Sequence, residues 1–109
     1  MRPRVRQYRA KRHPSIKPLH PGAALREDIL PAIGKPKAEI ARLLGISRQA
    51  LYDILNEKAP VTAEMAVRIG KLCGNGPNLW INLQRSYDLW HAQRRVDVSK
   101  IPTLREATE

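Results

Sequence analysis

From His20 to about Arg95 the apolar residues recur at helical spacing, and the runs are separated by prolines, glycines and capping residues. Leu25, Ile29 and Leu30 lie at i, i+4 and i+5. Pro21, suited to a helix N1 position, precedes them, and Pro31 and Gly34 close the segment. Pro36 opens a second run in which Ile40, Ala41 and Leu44 share a face before Gly45. Ser47 is a good N-cap for a third helix whose Leu51, Ile54 and Leu55 face inward, until residues 56–60 break it. Thr62, with Ala63 and Glu64, starts a fourth carrying Met65, Ala66, Ile69 and Leu72, ended by Gly74, Asn75 and Gly76. Pro77 starts the fifth and longest, with Trp80, Leu83, Tyr87 and Trp90 at 3, 4, 3 spacing. Residues 96–98 can extend briefly, but one short segment makes no sheet. The pattern predicts an all-α fold of five helices.

Residues 1–19 break this rule. Pro3, Pro14 and Pro18 interrupt any helix, and Val5, Tyr8 and Ile16 stand alone. This reads as a flexible arm, with a domain over 20–98 and a tail over 99–109. Charge sharpens the division. The 109-residue chain has a formal charge of +10, with 20 Lys and Arg against 10 Asp and Glu. Seven of the basic residues, Arg2, Arg4, Arg6, Arg9, Lys11, Arg12 and Lys17, fall in residues 1–19, which hold no acid. The remainder is only +3, so the arm and the domain need separate explanations. The single cysteine, Cys73, permits no internal disulfide or multi-cysteine zinc site and fits a reducing, cytoplasmic setting. No apolar run approaches the ~20 residues of a membrane span, and the basic N-terminus lacks the apolar stretch of a signal peptide. A domain of this size buries roughly 60–65% of its unfolded surface, which leaves room for dimerisation to add stability.

The window KAEIARLLGISRQALYDILN, residues 37–56, carries the chemistry. Ile40, Leu44, Ile46, Leu51 and Ile54 occupy the buried positions of two helices crossing tightly. Ala41 is small where the helices pass closest, and Gly45 sits at the turn, where a left-handed backbone carries no penalty. This is a helix-turn-helix pattern, whose second helix enters the DNA major groove while the first crosses the backbone. An ordinary helical hairpin would need the apolar spacing alone; Ala41, Gly45 and Ser47 at their joint spacing favour DNA. The second helix presents Arg48, Gln49, Ala50, Tyr52 and Asp53 outward. Arg can bridge guanine O6 and N7, Gln can pair with adenine, Ala50 can touch a thymine methyl, and an aspartate can accept from cytosine N4. Ser47 and the amides at its helix start suit a phosphate oxygen, with Lys37, Arg42 and Lys58 as candidate backbone contacts or solvated surface residues.

With these residues in place, the chain resembles the HigA (VapI-like) antitoxins, which carry an Xre/Cro-type, lambda-repressor-like helix-turn-helix. The resemblance rests on HPGAALREDIL at 20–30, EIARLLGISRQALYDILNEKAPVTAEMAVRIGKLCG at 39–74 and GPNLWINLQRSYDLW at 76–90, covering about residues 20–98. The last stretch, Pro-x-x-Trp-x-x-x-Gln followed by Tyr-Asp-Leu-Trp, is the most specific. What the resemblance implies is a dimeric antitoxin that binds a ribosome-dependent endoribonuclease toxin of the HigB type and represses the promoter of their shared operon. The chain departs from the family at Pro36 and Lys37, where members commonly carry Ser or Thr and Gln. It departs again at Tyr52 and Asp53, where they often carry Ser-Arg or Asn-Ser.

The Trp80, Leu83, Tyr87 and Trp90 stripe reads first as packing against the preceding helices, and part of it as a seal for a homodimer. An isologous dimer would hold two such helices about 34 Å apart and predicts a palindromic operator. His13, His20 and His91 are too scattered for a metal site, and Cys73 reads as a small buried apolar residue. The glycines at 70, 74 and 76 lack a preceding strand and a P-loop lysine, so no nucleotide cofactor is expected. No nucleophile triad or carboxylate pair stands out. A binding protein is expected, not an enzyme. The arm suits DNA phosphates or a narrow minor groove, with a solvated tail and a toxin-wrapping segment as alternatives. The rivals to a DNA-binding, toxin-neutralising autorepressor are a stand-alone Xre-type regulator and an RNA-binding or membrane-active cationic protein.

Overall fold

A computed structural model describes residues 16–105, in which five helices and no strand are present. Residues 1–15 and 106–109, which include His13 and most of the basic arm, lie outside the described residues. Pro18 is buried and Leu19 packs against the core, so chain packing begins just ahead of the first helix.

Helix α1 runs over residues 21–33 as three joined pieces: α-helix Pro21–Ala24, a π-helical turn Leu25–Ile29, and α-helix Leu30–Ile33. His20 caps it. Its Nδ1 accepts the Gly22 N–H at 2.8 Å, and Pro21 follows at the first turn, where no amide is needed. Pro31 was expected to help close this segment, yet the helix continues through it to Ile33. A proline ring clashes with the carbonyl four residues back in a regular α-helix. Here the preceding turn is widened, with Leu30 N–H bonding Leu25 carbonyl, and the clash is relieved. Gly34, at φ 77°, makes the actual stop.

Helix α2 spans Lys37–Leu44, α3 Arg48–Leu55, α4 Ala63–Cys73 and α5 Pro77–Arg95. The caps follow the sequence reading: Ser47 Oγ accepts from Ala50 N–H at 3.0 Å, and Thr62 Oγ1 from Met65 N–H at 3.2 Å. One core gathers a face of each helix. Ile29, Ile40, Leu51, Leu55, Ile69 and Trp80 are among its most buried side chains. Long α5 lies along α4, while the first turn of α1 sits against the end of α3. That second contact explains Gly22, because a Cβ there would land on the Ile54 carbonyl oxygen.

The aromatic stripe of α5 divides along its length. Trp80 and Leu83 are core, and Trp80 Nε1 donates to Asn75 Oδ1 at 2.8 Å. Gln84 is also buried; its Oε1 accepts the Val61 N–H at 2.7 Å, fastening the α3–α4 connection to α5. The Pro-x-x-Trp-x-x-x-Gln spacing therefore has a physical use: Trp80 fills the core and Gln84, one turn on, satisfies a buried amide. Tyr87 and Trp90 lie further out, half-buried. Tyr87 stands between His20 and His91, at 4.8 and 4.4 Å between ring centroids, and the Arg94 guanidinium lies 3.6 Å over Trp90.

Candidate nucleic-acid interface

Helices α2 and α3 pack against each other across a three-residue turn, Gly45, Ile46 and Ser47. Gly45 takes φ 75°, and the next amide, Ile46 N–H, reaches back to the Ala41 carbonyl at 3.0 Å. This closing bond requires a left-handed residue at the turn, which glycine adopts without a Cβ penalty. A side chain would also meet Arg68 Nη1 at 2.8 Å. Ser47 then starts α3, and Leu51, Ile54 and Leu55 turn into the core.

The outward face of α3 carries Arg48, Gln49 and Tyr52 exposed, with Ala50 and Asp53 half-buried beside them. Gln49 Nε2 donates to Asp53 Oδ1 at 2.8 Å. Ser47 is exposed, its hydroxyl already engaged by the Ala50 amide. Lys37 stands exposed at the start of α2, and Lys58 beyond the end of α3. Arg48, Lys37 and Lys58 carry no ion pair among the described residues. Arg42 differs, lying 3.5 Å from Glu39.

Two arginines that sequence reading missed brace this unit. Arg68, from α4, donates to the Leu44 carbonyl at 2.8 Å and so closes the end of α2, with Glu64 3.1 Å from its other nitrogen. Arg26, from α1, donates to the Leu55 carbonyl at 2.5 Å and closes the end of α3. Each satisfies a terminal carbonyl that the helix leaves unpaired and complements the negative end of the helix dipole. Glu57 lies 3.3 Å from Arg26 and holds the left-handed φ of 62°, where a glycine would be unstrained but could supply no carboxylate. The partners are 24 to 31 residues apart in sequence, so no local pattern announces them.

No group of three or more His, Cys, Asp or Glu gathers among the described residues, and His20 Nδ1 is committed to its cap. Cys73 is buried, and burial pushes its thiol up to about 11, away from thiolate chemistry. No described helix is long and apolar enough to cross a membrane.

The helix-turn-helix family model matches residues 25–80, from α1 to the start of α5. This chain belongs to that family. Within it, the chain falls with the HigA and VapI-like members of Xre type, which are not enzymes. It is 33% identical over 84 residues to the HTH-type transcriptional regulator YddM of Escherichia coli K12, covering 77% of this chain and 88% of that one. Among solved structures, antitoxin GraA in complex with its operator superposes with a TM-score of 0.76 at 31% identity, covering 90% of this chain and all of GraA. Pseudomonas aeruginosa antitoxin HigA with the higBA promoter gives 0.69 at 31% identity, over 80% and 99% of the two chains.

Proposed function

We propose that this helix-turn-helix protein is the antitoxin of a HigBA-type pair: it binds duplex operator DNA, represses its own operon and neutralises an endoribonuclease toxin. The observation that carries the DNA half is α3 itself. It is capped at Ser47 and braced by Arg26 at its far end, and it offers Arg48 and Gln49 to solvent on a face that no other helix covers. In this reading Arg48 and Gln49 contact bases, Ala50, Tyr52 and Asp53 border them, and Ser47, Lys37 and Lys58 lie along the phosphates. GraA and P. aeruginosa HigA, similar in fold, are known with their own operator and promoter DNA.

The reading further includes a homodimer. Trp80 and Leu83 are spent on the core, so the surface available to a second copy is a different face of α5. There Val61, Ile81, Leu89 and Ala92, together with Arg85 and Asp88, line an open groove of about 640 Å³. A two-fold interface on this face would bring together, from each copy, an apolar surface that carries one charge of each sign, Arg85 and Asp88.

The test is selection of preferred sites from randomised duplex DNA by the full-length chain. A palindromic site bound in preference to random DNA at physiological salt is expected, and the double change Arg48→Ala with Gln49→Ala should abolish that preference while the helical circular dichroism persists. Unchanged footprints would refute the assignment of α3. A second reading is a regulator without a toxin, since YddM is described only as an HTH-type transcriptional regulator. A small basic protein encoded beside this one, which co-purifies with it and loses RNase activity in the complex, separates the two.

A further inference from the structure

Gln49 and Asp53 sit one turn apart on the outward face of α3, with Gln49 Nε2 donating to Asp53 Oδ1 at 2.8 Å. The direction of that bond matters. A carboxylate offers acceptors only, so it draws the NH2 of the amide toward itself and turns the amide oxygen away. One Nε2 hydrogen is consumed. The other, together with Oε1, remains as a donor and an acceptor in a set order on an exposed side chain. Adenine presents an N7 acceptor beside an N6 donor in the major groove, the complement of that order. Guanine presents acceptors at both N7 and O6, so an amide held this way sets Oε1 against O6.

We propose that Asp53 is a positioning residue that makes Gln49 selective for adenine over guanine. This rests on the reading of α3 as the helix that enters DNA. It also gives Asp53 a use other than accepting from a cytosine: one oxygen is already engaged by Gln49, and its negative charge is held one turn back from the exposed base-reading amide.

The experiment compares selection from randomised duplex DNA by the full-length chain and its variants, scored base pair by base pair. Gln49→Ala identifies the position read by Gln49, where the preference for adenine should fall about tenfold. Asp53→Asn has the same shape but can donate as well as accept, so the amide is no longer held one way. It should lower the adenine-to-guanine ratio at that same position about threefold to tenfold. Asp53→Glu keeps an acceptor-only group and should retain most of the ratio. In a Gln49→Ala background, Asp53→Asn should change nothing further at that position, the signature of two side chains acting as one. If Gln49→Ala acts but Asp53→Asn leaves the ratio intact, or shifts preference at another base pair with Gln49 absent, the positioning role is overturned and the reading of α3 stands. If neither Gln49→Ala nor Arg48→Ala alters preference anywhere, the reading of α3 fails and the positioning role falls with it.

Discussion

His20 shows how much one side chain can hold. It caps α1 through Nδ1, packs against Tyr87 and lies almost wholly buried. Burial, the largest influence, pulls its pKa below the usual 6.5, against the opposing pull of Glu57 and Asp88, while Arg26 adds to the lowering. The folded state therefore binds fewer protons than the unfolded chain near that pH. Its stabilisation is complete above about pH 6.5 and declines as the pH falls below it, because protonation both charges a buried ring and removes the acceptor for Gly22. Urea unfolding at pH 7.5 and 5.5 should show this loss. His20→Asn keeps a capping oxygen that does not titrate and should flatten the difference, while lowering stability at pH 7.5 through lost packing. An equal pH dependence in both proteins would sink the assignment. Sequence marked Pro21 as a helix start, but the cap before it needed the folded ring to be visible.

At the level of elements, the helices were legible because their signals are local. Ser47, Thr62 and the left-handed Gly45 and Gly74 act within one turn of where they stand, and the apolar spacing needs only a helix to become a face. Pro31 was misleading for a similar reason: its usual effect is local, but a widened turn just before it absorbs that effect. The braces were not legible. Arg26 looks like any charged residue on α1, yet it meets the last carbonyl of α3 and Glu57. Arg26→Ala should cost about 1–3 kcal/mol in chemical denaturation, more than a surface arginine, since a helix-terminal carbonyl loses a charged donor. It should also weaken operator binding by loosening α3, in contrast to Arg95→Ala, a change at an exposed side chain in the last turn of α5.

For the whole molecule, two surfaces carry predictions. Leu89, 54% exposed at the groove on α5, is the place to interrupt a dimer. Leu89→Glu should yield a monomer in sedimentation experiments with unchanged helical content, and operator affinity should fall because two half-sites no longer bind together. The basic arm is the other. Pro18 and Leu19 pack on the domain, so a truncation that spares them and removes residues 2–15 takes away six cations without touching the core. It should lower the slope of log K against log salt by up to about 5 and leave the preferred site unchanged. An unaltered slope would place the arm off the DNA, and loss of toxin neutralisation alone would assign it to the toxin. The sequence by itself determined the five helices, the caps at Ser47 and Thr62, the helix-turn-helix and the split between a strongly basic arm and a nearly balanced domain, since each follows from neighbours along the chain. Tertiary structure alone decided which half of the aromatic stripe is core, which arginines close α2 and α3, and where an open apolar face remains. Those outcomes depend on which residues, distant in sequence, occupy the same space once the core has formed.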